Sequence, residues 1–217
     1  MKRAAEFPRA RVQAALQTGL AALNPGLDTA ALSASLNRFL EELHRWNHAY
    51  NLTAVRDPLD MVSRHILDSY SVLPWAAGQR VIDVGTGAGL PGIALALARP
   101  DQHFTLLDAN GKKVRFVTHA AAQLALANVR VVQARVEAFT ADPFDTVICR
   151  AFTALPDFVT GAAHLVAPEG ALIAMKGRYP EQEVAALPPD WRVAECAPVE
   201  VPGLIGERHI LVLRRTP

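Results

Sequence analysis

The sequence has few cysteines and few aromatic residues, and it has no long apolar segment. Its 217 residues include 2 cysteines, and aromatic residues make up 6% of the chain. Cys149 and Cys196 form neither a disulfide framework nor a set of metal ligands. Because both lie in apolar, strand-like runs, we expect them to be buried free thiols. No apolar stretch reaches the length of a membrane span, and no apolar core follows the basic N-terminus as it does in a secretory signal. These absences predict a cytoplasmic protein with no metal centre and no membrane partner.

The sequence also has no excess of charge of either sign. Lysine and arginine number 22 against 21 aspartates and glutamates, which gives a formal net charge of +1. A nucleic-acid partner would therefore have to bind a local basic patch rather than a generally basic protein. Hydrophobic residues make up 51% of the chain and charged residues 20%. This composition indicates a folded globular chain with one sizeable core.

The pattern of apolar residues changes near residue 75. Before this point the spacing is helical, and it predicts three helices: one over residues 10–23, a longer one capped by Asp28, and one that begins at Asp57-Pro58. After residue 78, short β-rich runs alternate with helical runs. The predicted strands cover residues 80–84, 103–108, 129–133, 144–150, 170–176, 191–201 and 208–215.

The strand patterns indicate an α/β fold with a mostly parallel sheet. The first five strands are nearly continuous apolar runs, as expected of parallel strands that are covered on both faces. The last two strands are joined by a short loop, which predicts an antiparallel hairpin at one edge. We therefore predict a Rossmann-like domain with a seven-stranded sheet over residues 76–217, as one compact unit, and an N-terminal helical cap over residues 1–75.

The glycine-rich stretch VIDVGTGAGLPG at residues 81–92 follows the first predicted strand. A dinucleotide motif G-x-G-x-x-G that begins at Gly85 fails at Leu90, whereas the same motif matches if it begins at Gly87. The alternative pattern D-x-G-x-G-x-G, from Asp83 to Gly89, is typical of enzymes that use S-adenosylmethionine. A carboxylate at the strand end would repel a pyrophosphate but would attract the ammonium and sulfonium groups of S-adenosylmethionine. The acid therefore favours S-adenosylmethionine as the cofactor.

A second acid, Asp108, ends the second predicted strand. An acid at this position binds ribose hydroxyls in both cofactor classes, or it caps the helix that follows. Ligands of doubly wound sheets bind beyond the carboxyl ends of the strands. This rule places the candidate cleft at residues 83–92, 108–113, 135–137 and 150–152.

Eight segments carry a more specific signal: WNHAYNLTAVRD (46–57), RHILDS (64–69), VIDVGTGAGLPG (81–92), LLDANGKKVRF (106–116), ARVEAF (134–139), FDTVICRAF (144–152), ALIAMKG (171–177) and PGLIGERH (202–209). Over residues 46–214 the chain resembles the bacterial 16S rRNA guanine-N7 methyltransferase G family, also called glucose-inhibited division protein B. The resemblance implies a class I S-adenosylmethionine-dependent methyltransferase that acts on a guanine in a loop near the ribosomal decoding centre. The partner would be 16S rRNA or the 30S subunit, and we expect the enzyme to be a monomer.

The resemblance also implies which residues form the site. The cofactor contacts that it implies are Gly85, Leu90, Val136, Glu137 and Arg150, and Asp83, Gly87, Gly89 and Asp108 line the same cleft. The candidate RNA contacts are Arg64, His65, Lys112, Lys176 and Arg208. For each of these five, the competing interpretation is a solvated charge or a structural side chain. His65 in particular stands three residues before Asp68 on a helix and could pair with it.

The sequence around the fourth strand agrees with N7 as the acceptor atom. Enzymes that methylate exocyclic amines usually carry an Asn/Asp-Pro-Pro-aromatic turn there, whereas this chain has Cys149-Arg150-Ala151-Phe152. A carbon-methylating enzyme would need an exposed nucleophilic cysteine, and Cys149 lies within the strand pattern. Guanine N7 has a free lone pair and loses no proton on methylation. We therefore predict in-line transfer by positioning and electrostatics, with no protein nucleophile or general base.

Three other functions stay open on the residues alone. A nicotinamide-dependent oxidoreductase could use the motif that begins at Gly87, although no Tyr-x-x-x-Lys or catalytic histidine arrangement accompanies it. A noncatalytic RNA-binding module would be expected to have lost the cofactor loop, which is intact here. A methyltransferase that acts on a small molecule or a protein is opposed only by the family segments.

Overall fold

The computed structural model describes residues 6–23, 28–150 and 153–216. The helices are α1 (Arg9–Leu23), α2 (Thr29–Tyr50), α3 (Pro58–Met61), α4 (Asp68–Tyr70), α5 (Gly92–Ala98), α6 (Gly111–Gln123), α7 (Leu155–Ala162) and α8 (Glu181–Ala185). The strands are β1 (Arg80–Val84), β2 (His103–Asp108), β3 (Val129–Gln133), β4 (Phe144–Arg150), β5 (Val166–Lys176), β6 (Trp191–Pro198) and β7 (His209–Arg215). A π-helical turn, Val62–Leu67, joins α3 to α4. Shorter 3₁₀ turns cover Leu73–Trp75, Val136–Ala138 and Ala163–Leu165.

The seven strands form one sheet in the order β3-β2-β1-β4-β5-β7-β6. The first five strands in this order are parallel, and β7 pairs antiparallel with both β5 and β6. The predicted mostly parallel sheet with an antiparallel edge hairpin is therefore confirmed. The strand order reverses between β1 and β4, and a crevice opens beyond the carboxyl ends of strands at such a switch point.

Both faces of the sheet are covered by apolar packing. Successive side chains of a strand point to opposite faces, so Val81 joins one buried cluster and Ile82 the other. The first cluster contains residues of α1, α2, α5 and α6, and the second contains residues of α7. This two-sided burial explains why β1 is a nearly unbroken apolar run in the sequence.

The N-terminal helices share the first of these clusters. Asp28 caps α2, because its side chain accepts hydrogen bonds from the backbone N–H groups of Ala30 and Ala31, both at 3.1 Å. Phe39 of α2 is buried and its ring centroid lies 6.0 Å from that of Phe116 on α6. The helices therefore lie against the sheet domain through a common core, while the predicted boundary at residue 75 stays a prediction.

The two cysteines differ in their surroundings. Cys149 on β4 is buried, as predicted, whereas Cys196 on β6 is exposed. The prediction for Cys196 was wrong because β6 is the edge strand, and its residues 194–196 are all exposed.

Within the described ranges, no helix is both long and apolar enough to cross a bilayer, and no group of three or more potential metal ligands comes together.

Candidate cofactor site

A cavity of about 400 Å³ lies at the carboxyl ends of β1 to β4. It falls in the size range of small-molecule sites. Its walls are Leu52, Thr53, His65, Val84, Gly85, Thr86, Gly87, Ala88, Leu90, Leu107, Asp108, Ala109, Lys113, Ala134, Arg135, Val136, Glu137 and Arg150. Seven predicted cofactor residues are among them: Gly85, Gly87, Leu90, Asp108, Val136, Glu137 and Arg150. The predicted residues Asp83 and Gly89 are not.

Asp83 lies behind the glycine loop rather than in the cavity wall. The residue is 1% exposed, and its Oδ2 accepts hydrogen bonds from the Thr86 hydroxyl at 2.6 Å and the Gly92 N–H at 2.8 Å. Its Oδ1 has no hydrogen-bond partner among the described residues. Burial raises the pKa of Asp83 to about 6 despite these hydrogen bonds. This carboxyl group therefore ties Thr86, near the start of the loop, to Gly92, at its end.

Glycine is required at two points of this loop. Gly87 has a φ of +61°, in the left-handed region that other residues rarely adopt. A Cβ atom on Gly92 would lie 2.0 Å from a methyl carbon of Leu106 and 2.9 Å from the Asp83 carboxylate. The loop can therefore turn back on the sheet only because these two positions carry no side chain.

Asp108 combines burial with unused hydrogen-bonding capacity. Its side chain is 8% exposed and lines the cavity. Oδ1 accepts from the Asn110 N–H at 2.8 Å, and Oδ2 accepts from the Gly87 N–H at 2.9 Å, with Lys113 Nζ at 3.9 Å. A carboxylate has about four acceptor positions, so it can still accept from two hydroxyl groups. Asn110, not Asp108, caps α6 by accepting from the Lys112 N–H.

Arg150 is held at the opposite wall by a buried aspartate. Its Nη1 donates to Asp68 Oδ2 at 3.2 Å and to the carbonyl oxygen of Arg64 at 3.3 Å. The other oxygen of Asp68 accepts from Arg208 Nε at 2.8 Å. One carboxylate, 8% exposed, therefore serves two guanidinium groups. Asp68 therefore pairs with these two arginines, and the alternative pairing with His65 is not formed.

His65 is a buried structural group that also lines the cavity. Its Nδ1 lies 3.1 Å from the Arg64 carbonyl oxygen, and its Nε2 lies 2.9 Å from the Thr53 hydroxyl. The carbonyl can only accept, so Nδ1 carries the proton and Nε2 accepts from Thr53. Burial, reinforced by the positive charge of Arg150, lowers the pKa of His65 to about 4. His65 is therefore neutral at physiological pH and fixes the Thr53 wall to the π-helical turn.

The low pKa of His65 predicts a pH-dependent stability. The unfolded chain gains a proton near pH 6.5, whereas the folded chain does so only near pH 4, so acid favours the unfolded state between these values. Going from about pH 7.5 to about pH 5, the unfolding free energy of the native protein should fall by about 2 kcal/mol more than that of His65→Gln. Urea unfolding at both pH values tests this, with the exposed His103→Gln as the control. Equal losses in the native protein and His65→Gln would contradict the assignment.

The predicted RNA residues occupy different environments. Arg64 and Lys112 are exposed, and Arg208 is engaged by Asp68. Lys176 is half-buried, and its Nζ donates to Glu183 at 2.8 Å and to the Thr153 carbonyl at 3.0 Å. Lys176 therefore secures the segment that leads into α7 rather than presenting a free charge. Ala151 and Phe152 lie outside the described residues.

Sequence reasoning gave no site role to the loop between α2 and α3. Leu52 and Thr53 from this loop line the cavity. They belong to WNHAYNLTAVRD, one of the segments that carry the family resemblance. Nothing in the spacing of this segment showed which of its side chains would reach the cleft.

The fold and the cavity together define the class of protein. An acid on the second strand suits a ribose, the apolar side chain of Val136 suits a purine ring, and the glycine loop lets the ligand approach the backbone closely. Solved structures with the same fold include TrmN from Thermus thermophilus, with a TM-score of 0.56 and 22% identity over 71% of this chain and 53% of that chain. A methyltransferase from Aquifex aeolicus matches with a TM-score of 0.54 and 20% identity over 68% of this chain and 89% of that chain. The protein has the class I S-adenosylmethionine-dependent methyltransferase fold.

Sequence comparison then identifies the family. The family model for rRNA small subunit methyltransferase G matches residues 32–211. The protein of that name from Hahella chejuensis is 48% identical over 202 residues, 93% of each chain. The one from Escherichia fergusonii is 52% identical over 177 residues, 81% of this chain and 86% of the relative. The chain belongs to the rRNA small subunit methyltransferase G family. It is a methyltransferase, and S-adenosylmethionine is its cofactor.

Proposed function

We propose that this enzyme transfers a methyl group from S-adenosylmethionine to N7 of a guanine in 16S rRNA. The family name supplies the rRNA of the small subunit. The observation that supports N7 is the chemistry of the cavity wall. Its described residues include no cysteine, both ring nitrogens of its histidine, His65, are already hydrogen-bonded, and its carboxylates, Asp108 and Glu137, are proposed to hold the cofactor. A target that requires neither a nucleophile nor a base suits such a cavity best.

The cavity residues divide the work of holding the cofactor. Asp108 is proposed to accept hydrogen bonds from the ribose hydroxyls, and Val136 and Glu137 to lie beside the adenine. Gly85 and the loop around it let the ligand approach the backbone closely. Arg150, with its guanidinium fixed by Asp68, provides the positive charge at the other wall. Asp83 does not line the cavity but supports the glycine loop through its hydrogen bonds with Thr86 and Gly92.

The proposed reaction needs positioning rather than proton transfer. S-adenosylmethionine supplies an electrophilic methyl group when it is bound. With the cofactor held by Asp108, Val136, Glu137 and Arg150, its methyl carbon would bond to N7 as the carbon–sulfur bond breaks, and the positive charge would pass to the guanine ring. No proton leaves, so the residues of this chain have to orient the two reactants in line and exclude water.

Methyl incorporation from labelled S-adenosylmethionine tests the proposal. The acceptors would be 30S subunits and purified 16S rRNA that lack the modification, and fully modified 16S rRNA is the control. Borohydride–aniline treatment cleaves RNA at N7-methylguanine, so we expect label together with a single cleavage site. Label without cleavage would place the methyl group on another atom. Bound cofactor without label in either acceptor would refute the RNA substrate.

A further inference from the structure

A surface that we call the rim borders the cavity on the side of Arg150. The rim consists of residues 177–179, after β5, and residues 203–209, which lead into β7. Arg208 Nε binds Asp68, the same carboxylate that holds Arg150. His209 Nδ1 lies 2.9 Å from the Gly177 carbonyl oxygen, which fixes the two parts of the rim to each other. The rim therefore continues the cavity wall outward.

The rim exposes two large hydrophobic side chains. Among the described residues, the large hydrophobic side chains that stay exposed are Tyr50 at 45%, Tyr179 at 41% and Ile205 at 102%. Tyr179 and Ile205 both belong to the rim. The Tyr179 ring lies 6.3 Å from the His209 ring, edge to face at 64°. Ile205 stands at the loop tip, followed by Gly206 with a φ of +118°. Exposed apolar groups concentrated beside a cleft mark a binding surface.

Exposed arginines on and beside the rim offer positive charge to phosphate groups, although Arg208 is itself paired with Asp68. Arg178 is exposed, Arg64 is exposed on the adjoining π-helical turn, and the Arg208 side chain is 30% exposed. Two exposed acids lie nearby. Glu207 belongs to the rim, and Glu181 comes shortly after residues 177–179, at the start of α8. Exposed aromatic and apolar groups between arginines are the combination that binds single-stranded nucleic acid, in which bases stack and phosphates pair with cations.

We propose that the rim is a docking surface for single-stranded RNA beside the target guanine. An unpaired base stacks on the Tyr179 ring, a neighbouring base packs on Ile205, and the intervening phosphates lie near Arg178. The proposal rests on RNA being the substrate. A guanine that enters the cavity has to leave its own stack, and the rim holds the flanking nucleotides while it does so.

Steady-state kinetics with unmodified 16S rRNA and 30S subunits test the rim. Loss of base stacking in Tyr179→Ala should raise the KM for RNA roughly tenfold, since each stacked base contributes about that much to affinity. Ile205→Ser should raise it less, and Tyr179→Phe should stay near the native value because the ring is kept. The kcat at saturating RNA and the Kd for S-adenosylmethionine should not change. The matched control is Tyr50→Ala. Tyr50 is exposed to a similar extent but lies outside the rim, with its ring centroid 5.3 Å from that of Trp46.

The outcomes separate this proposal from the proposed function. If the native enzyme does not methylate RNA, the proposed function fails first. If it does, an unchanged KM in both Tyr179→Ala and Ile205→Ser overturns the rim alone. A rise seen with 30S subunits but absent with protein-free 16S rRNA would indicate a ribosomal protein contact instead and would also overturn it. An equal rise in Tyr50→Ala would show a nonspecific effect of lost aromatic surface.

Discussion

Asp108→Ala is expected to weaken S-adenosylmethionine binding about 100-fold. If the carboxylate accepts from two ribose hydroxyls, each charge-assisted hydrogen bond is worth about 1.5 kcal/mol or more, and about 3 kcal/mol corresponds to two orders of magnitude. The effect should be large because the side chain is 8% exposed and water cannot easily replace it. The same substitution also removes the acceptor of the Gly87 N–H.

Isothermal titration calorimetry with S-adenosylmethionine measures this loss. Asp108→Asn is the informative companion, because an amide keeps one acceptor oxygen and nearly the same shape, so its affinity should fall between the other two proteins. Asp101→Ala, on an exposed turn, serves as the matched surface control. A native affinity in Asp108→Ala, with the protein folded, would remove Asp108 from the cofactor site.

Of the substitutions discussed, Asp68→Ala is expected to lower the free energy of unfolding the most. The carboxylate is 8% exposed and compensates Arg150 and Arg208, so its removal leaves two guanidinium groups without their shared counter-charge. Breaking a buried ion pair in this way costs about 3–5 kcal/mol. For a chain of this length we expect the melting temperature to fall by roughly 6–12 °C if the cost is about 3 kcal/mol.

Differential scanning calorimetry with a double variant tests the origin of this loss. Replacing Arg208 as well relieves the repulsion, so Asp68→Ala/Arg208→Ala should be less destabilised than the sum of the two single variants. Cofactor affinity should also fall in Asp68→Ala, because Arg150 loses its support. Strictly additive effects would mean that the two residues act independently, contrary to the contact between them.

Much of the architecture followed from local patterns. The nearly unbroken apolar runs predicted β1 to β4 with the bounds that the structure has, and the short loop before residue 209 predicted the edge hairpin. The predicted fifth strand began at residue 170, whereas β5 begins at Val166 with an irregular register opposite β4 between Phe144 and Thr146. Its first residues include Pro168, Glu169 and Gly170, which interrupt any strand pattern in the sequence.

The sequence by itself determined the family, through the segments that resemble it, and it determined the cofactor class and the edge of the sheet where the cleft lies, because those two depend on the spacing of acids and glycines along the chain. Only the tertiary structure decided what each charged residue does there. Asp83 and Asp108 are both buried acids at strand ends, yet the fold places Asp83 behind the glycine loop and Asp108 in the cavity wall. Asp68 meets its two arginines from 82 and 140 residues away. Such partners are set by packing across the whole fold, and no local pattern encodes them.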